Sequence, residues 1–253
     1  MNKAKIKLKN NQRDVKMIKT QVSQPLIKPI VSLALAALMA LPPISAYAST
    51  TMESCLSAKC RSYFNDFDVY ASSGHKEAIA TIAEMYYHGY GTKKNLRRAV
   101  KYYKKAAFKG VPSAQYKMGL IYLYNDHYQD TEKGLTNIQQ AAQRQHPGAM
   151  HTLGLIYLHN QNLAQADYWL AQAYRHGDTS MPNLVEQLKR DKPATLAQLP
   201  QLNEEAAENW LVWQQADKNK QASLPEYLDT QLNIFKERRR RTVQWPRYWA
   251  ATP

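Results

Sequence analysis

The residues able to do chemistry in this chain are seven histidines, His75, His88, His127, His146, His151, His159 and His176, and two cysteines, Cys55 and Cys60. A zinc hydrolase helix needs two histidines four residues apart with a glutamate beside the first, so that both rings face one metal. No such pair occurs. His151 and His159 stand eight residues apart, near two helical turns and so on one side of a helix, but the sequence offers them no neighbouring carboxylate or thiol. The Gly-x-Ser-x-Gly nucleophile turn, the phosphate loop and the dinucleotide fingerprint are missing as well. Gly89-Tyr90-Gly91 lies between helical stretches and does not follow a strand. The expectation is a protein that is not an enzyme, with no cofactor, no metal and no small-molecule substrate.

The first 48 residues differ in kind from the rest. Eight Lys/Arg against the single acid Asp14 precede an uncharged apolar run from Ile30 to Leu41. That run is about 12 residues long where a membrane span needs about 20. It ends in Pro42-Pro43 and is followed by Ala46-Tyr47-Ala48, the small-x-small pattern of a signal-peptide cleavage site. Residues 1–48 therefore read as a cleaved signal peptide and the mature chain as periplasmic or secreted. An uncleaved anchor is the alternative, and Met17 is a second candidate start. The leader carries half of the formal charge of +14, so the whole-chain charge is no argument for nucleic acid. An oxidising compartment permits Cys55 and Cys60 to pair. On an unbroken helix, residues five apart point about 140° from each other, too far round for a disulfide. A Cys55–Cys60 bridge thus requires a helix break between them, and free thiols are the other possibility.

Internal similarity organises the middle of the chain. Ala78, Ile82, Ala83 and Tyr86 recur as Ala114, Met118, Gly119 and Tyr122, and again as Ala149, Leu153, Gly154 and Tyr157. A second helix follows in each unit, opened by Asn95, Asp130 and Asn162, whose side-chain oxygens suit the unpaired N–H groups of a first helical turn. Gly110 and Gly177 stand where a helix must end and the chain turn. Ala83, Gly119 and Gly154 are small where two helices approach, and Tyr86, Tyr122, Tyr157, Tyr102 and Trp169 fill the space beside them. Repeats of this length mean stacked helical hairpins.

At these residues the chain resembles the Sel-one-like repeat family, relatives of the tetratricopeptide repeat. The run from Ala78 to Gly110, with Gly89-Tyr-Gly91 at its turn and Ala106-Ala107 near its end, matches a full unit. The second unit replaces the Gly-x-Gly turn by Asn125 to Gln129, and the third shortens the same connection by four residues. The resemblance covers about residues 74–177. It implies an all-α, right-handed α-solenoid of helix-turn-helix repeats used for protein–protein assembly. Secreted members credited with binding β-lactam compounds carry a cysteine pair in every unit; this chain has none within its repeats.

A stack of repeats needs a cap at each end. Residues 49–73 read as an N-terminal capping helix. Residues 74–192 read as repeats, divided 74–109, 110–144, 145–177 and a partial 178–192 whose helix falls at Pro182 to Lys189. Residues 193–253 read as C-terminal helices, from about Asn203 to Gln215 and from Leu224 to Arg240, and a basic-aromatic tail. The tyrosines at repeat positions are packing residues. Recognition is left to non-consensus residues on the first helices: Glu84, Tyr87, Lys117, Tyr124, His151 and His159, on what a solenoid of this type offers as its concave side.

The expected function is an exported adaptor or scaffold that binds another protein or a peptide. The alternative is an accessory subunit of a cell-envelope assembly, docking an anionic envelope surface through Arg238, Arg239, Arg240, Arg241, Trp245, Tyr248 and Trp249. Nucleic acid is not an expected partner. N-terminal sequencing of the protein recovered from cells is expected to begin at Ser49; an intact chain starting at Met1 or Met17 in the membrane fraction would favour the anchor.

Overall fold

The computed structural model describes residues 52–216 and 224–243, with the side chains of all but 210–216 and 239–243. The expected leader, its cleavage site, and Trp245, Tyr248 and Trp249 lie outside the described residues. The described residues form helices and no strand; a lone bridge joins Cys55 to Tyr90. In chain order the helices are α1 (Ala58–Ser72), α2 (Lys76–His88), α3 (Leu96–Phe108), α4 (Pro112–Tyr124), α5 (Thr131–Gln143), α6 (Pro147–His159), α7 (Leu163–Arg175), α8 (Met181–Asp191), α9 (Pro193–Leu196), α10 (Pro200–Ala216) and α11 (Leu224–Val243). The chain is an all-α solenoid of helix-turn-helix repeats, with α2–α3, α4–α5 and α6–α7 as its hairpins.

The second helix of each hairpin starts where its capping residue stands. Asn95 Oδ1 accepts from Arg98 N at 2.9 Å, Asp130 Oδ1 from Lys133 N at 3.0 Å, and Asn162 Oδ1 from Gln165 N at 3.3 Å. Each supplies an acceptor for a donor the helix cannot satisfy itself. After the second helices the chain enters the left-handed region at Gly110 (φ 77°) and Gly177 (φ 81°). The second hairpin has no glycine there and Gln145 takes φ 63° instead, a conformation that costs an L side chain about 1–2 kcal/mol.

Two compact units divide the described residues, 52–118 with 211–216 and 224–243, and 119–210. The first has a core of Phe67, Ile79, Ile82, Met85, Tyr103 and Phe235. Its helix α11 buries Leu228, Leu232 and Phe235, at the i, i+4, i+7 spacing of one helical face, and packs on α1. The Phe235 ring lies 5.9 Å from Phe67, 5.3 Å from Tyr70 and 5.4 Å from His75. The Tyr63 hydroxyl donates to Asp229, and burial first and that hydrogen bond second push its pKa up to about 12. The stretch from Leu224 is therefore a part of the first unit's core, which its late position in the chain does not suggest.

Cys55 and Cys60 form a disulfide, with Cα atoms 6.0 Å apart. The helix break that pairing requires is present. Ser57 caps α1, its Oγ accepting from Cys60 N at 3.3 Å, so Cys55 precedes the helix and Cys60 lies in its first turn. Cys55 bonds to the turn of the first hairpin, its N–H donating to Gly89 O at 3.1 Å and its carbonyl accepting from Gly91 N at 2.6 Å. A Cβ on Gly91 would stand 2.6 Å from the Phe64 Cβ and closer still to the Cys60 carbonyl. The Gly-x-Gly turn is thus the seat of the N-terminal segment, and the later hairpins, which seat no such segment among the described residues, do without it.

The second unit shows why its small residues are small. A Cβ on Gly119 would lie 2.6 Å from Ile138 Cδ1 and 3.1 Å from Ile138 N; on Gly154, 2.7 Å from Leu170 Cδ2 and 3.1 Å from Leu170 N. Gly134 repeats the arrangement from the other helix, 2.7 Å from Leu123 Cδ2. Helix α8 runs Met181–Asp191, a residue or two beyond the expected Pro182–Lys189 at each end, and the single turn α9 is an addition. Of the three repeat tyrosines only Tyr86 and Tyr157 are buried; Tyr122 is half-exposed.

Gly119→Leu and Gly154→Leu are each expected to destabilise by about 1–3 kcal/mol or more, because the added side chain must push two helices apart. Thermal unfolding checks this, and a melting temperature equal to wild type in both variants would overturn the register.

Candidate functional site

Three of the six proposed recognition residues come together in the first unit. On α2, Glu84 reaches His88 of the next turn, with Nε2 3.3 Å from Oε2, and Lys117 of α4, with Nζ 3.7 Å away. Lys117 Nζ also stands 5.7 Å from the centre of the Tyr87 ring, and Lys94 Nζ 5.9 Å from it. Tyr87 packs edge-on against His88 at 5.0 Å and against Tyr103 at 6.3 Å. Glu84, Tyr87 and Lys117 are all partly exposed, so the group forms the floor of a polar surface.

Electrostatics keeps this carboxylate charged. Burial pushes the Glu84 carboxyl up, but the His88 hydrogen bond and the Lys117 ammonium together hold it below the ordinary carboxylate value. The Tyr103 hydroxyl, buried beside it, is raised far above a phenol's usual value by burial and then by the Glu84 charge. On α11 the Tyr227 phenol is raised in the same order of causes. A carboxylate already neutralised by Lys117, beside an aromatic ring faced by two ammonium groups, suits polar and cation–π recognition. It lacks a nucleophile and a base aligned on one.

The other three recognition candidates, Tyr124, His151 and His159, belong to the second unit and do not form one cluster. Tyr124 and His159 are exposed at the C-terminal ends of α4 and α6. His151 corrects the sequence reading, which left it without a carboxylate. Asp178 Oδ1 is 3.4 Å from its Nδ1, and Ser180 Oγ lies 2.9 Å from the same nitrogen and donates to Asp178. Ser, His and Asp thus meet, but both partners address Nδ1. A catalytic triad needs the serine on Nε2 and the aspartate on Nδ1, so that one ring nitrogen takes the proton while the other is held. This group instead ties the loop after α7 to α6. Burial pushes the His151 ring below its ordinary pKa, and the Asp178 charge opposes that only in part.

Sequence reasoning also missed two polar contacts that hold the second unit's last helix. Asp167, buried on α7, accepts from Leu202 N at 2.9 Å and Gln201 N at 3.1 Å, capping the first turn of α10 from another helix. Glu205, one turn on, pairs with Arg175 and accepts from Asn209 Nδ2 at 3.0 Å. A lone acid in Leu163–Arg175 carries no sequence signal that its partners lie 34 and 35 residues away. Arg238 stands on α11, 3.9 Å from Glu77 of α2. Arg239, Arg240 and Arg241 continue that helix, and their side chains lie outside the described residues.

Four stretches of the chain, 77–110, 112–146, 148–178 and 164–184, match the family model of the Sel1 repeat. The chain thus carries Sel1 repeats, as other Sel1-repeat proteins do. Such proteins generally mediate protein–protein interaction, and the repeat is generally a non-catalytic scaffold. Among solved structures, the chain is similar to a Sel1 repeat protein from Oxalobacter formigenes, at 22% identity and a TM-score of 0.47 over 57% of this chain and 64% of that one. It is also similar to a protective antigen of uropathogenic Escherichia coli displaying an SLR fold, at 18% identity and 0.49, over 59% of this chain and 34% of that one. A third is an immunity protein from Pseudomonas aeruginosa, at 17% identity and 0.37, over 68% and 88%. The Sel1-repeat chain thus spans less than two thirds of the first two. No curated protein matches it significantly.

The depressed His151 pKa has a consequence for stability. The unfolded ring, near its ordinary 6.5, takes up a proton at a pH where the folded ring stays neutral, so stability present above that value declines as pH falls below it. Urea unfolding at pH 7 and pH 5 is expected to show a smaller loss for His151→Asn than for wild type; equal losses would remove His151 as a source.

Proposed function

We propose that this Sel1-repeat protein is an exported adaptor that binds a partner protein or peptide at the Glu84, Tyr87 and Lys117 surface of its first unit. The observation that carries the reading is the convergence of those three residues from α2 and α4, with Lys94 and His88 beside them, at positions the repeat does not need for packing. Tyrosine between ammonium groups is a rigid anchor with low entropy cost, the type of residue that dominates binding energy at interfaces. Export is supported by the leader pattern of residues 1–48 and by the Cys55–Cys60 disulfide, a bond that persists in oxidising compartments. A second reading, docking of an anionic envelope surface through the tail, is supported by Arg238, which is exposed on α11 at the start of a run of four arginines.

Affinity capture from the envelope fraction, read by mass spectrometry, tests both. Tyr87→Ala and Lys117→Glu are each expected to lower recovery of the principal partner by about tenfold or more at an unchanged fold. Full recovery with both variants, and loss on truncation after Glu237, would shift the site to the tail.

A further inference from the structure

Helix α3 has a face that the repeat does not explain. It buries Ala99, Val100, Tyr103 and Ala106. Its opposite side carries Arg97, Lys101, Lys104, Lys105 and Lys109, all exposed, with no acid between Lys93 and Lys109. At about 100° per residue, Arg97, Lys101, Lys104 and Phe108 fall on one narrow stripe. Phe108 ends that stripe at 94% exposure, the most exposed of the large apolar side chains described. Arg97, Lys101, Lys105 and Lys109 have no acidic partner among the described residues.

At its N-terminal end the stripe works against its own helix. Arg97 and Arg98 sit in a first turn with no acidic residue, where the helix dipole disfavours cations. Arg97 with Lys101, and Lys101 with Lys105, are like charges one turn apart, each pair unfavourable by about 0.2–0.5 kcal/mol. The other second helices show that the fold does not ask for this. The positions of Arg97, Lys101, Lys105 and Phe108 are Glu132, Thr136, Gln140 and Gln143 on α5, and Ala164, Tyr168, Gln172 and Arg175 on α7.

We propose that this face of α3 docks on an anionic phospholipid surface, with the lysines and arginines against the headgroup phosphates and Phe108 inserted at the boundary with the acyl chains. A basic helical face carrying an aromatic is the composition that binds bilayer interfaces. The lipid is favoured over an acidic protein because Phe108 is the one large apolar side chain exposed on α3, and a single ring among cations offers a folded partner little apolar area to cover. A fluid interface needs no matching shape, and flexible cationic chains on a rigid helix suit it. This lipid binding is separate from the adaptor site, which lies on α2 and α4.

Co-sedimentation of the full protein, as purified from cells, with phospholipid vesicles tests the proposal. One set is phosphatidylcholine alone and the other has a third of its lipid as phosphatidylglycerol. Binding is expected only to the anionic set. Replacing Arg97, Lys101, Lys104 and Lys105 together by Gln is expected to weaken it on the order of a thousandfold at low salt, since each such charge near the surface contributes about 1 kcal/mol. The melting temperature of that variant should be equal to wild type or higher. Phe108→Ser is expected to weaken binding several-fold at both low and high salt, and Phe108→Trp to bind as wild type with an emission that shifts to shorter wavelength on the vesicles. Retained binding in the four-residue variant, equal binding to neutral vesicles, or an unshifted Phe108→Trp emission would overturn the proposal. So would binding of a poly-aspartate peptide or a short RNA duplex without binding to vesicles. Failure here leaves the capture result untouched, because Tyr87 and Lys117 are unaltered in every variant.

Discussion

The approach of paired helices at a residue without room for a side chain is the constraint on which the rest of the structure depends. At Gly119 and Gly154 the facing element is the backbone nitrogen and side chain of one residue, Ile138 or Leu170, eight positions after the N-cap of the second helix. In the first hairpin the same positions hold Ala83 and Tyr103, both buried. The larger residue on one side and the small one on the other set the separation and the register together. Caps at Asn95, Asp130 and Asn162 then fix where each second helix begins, so the two helices meet at the same height in every unit. The Glu84 cluster inherits that alignment, since Glu84 follows Ala83 directly.

Much of this was legible in the amino-acid order because it recurs. A capping Asn or Asp, a small residue and a tyrosine repeated three times identify each other, and physical necessity makes each type readable: an oxygen for unpaired donors, a small or absent side chain for close approach. The contacts that stayed hidden are those made once. Asp167 reaches residues 201 and 202, Tyr63 reaches Asp229, and Phe235 joins Phe67, Tyr70 and His75. Nothing periodic announces a contact that spans the length of the chain, and the aromatic and acidic residues involved are ordinary on their own. The disulfide was legible only as a condition, and the position of the Ser57 cap meets it.

The candidate surface divides the same way. Glu84, Tyr87 and Lys117 were found from helical phase, because phase predicts which residues of neighbouring first helices share a side. His151 was found for the same reason but with the wrong surroundings: Asp178 and Ser180 sit in the loop after α7, where phase has no meaning. The basic face of α3 lay in plain sight as charge. Its interest emerges only when the exposure of Phe108 is known, since an aromatic at a helix end reads as easily as core.

The first compact unit is discontinuous along the chain. Its opening helix α1 cannot cover Phe67 and Tyr70 until Phe235 has been made, some 165 residues later. During synthesis the beginning of the protein therefore waits with apolar rings uncovered while every hairpin in between can already form from neighbouring segments. A chain arranged so completes its first-made unit last. That ordering delays closure of the first unit until the rest of the chain has been made, without weakening the finished molecule.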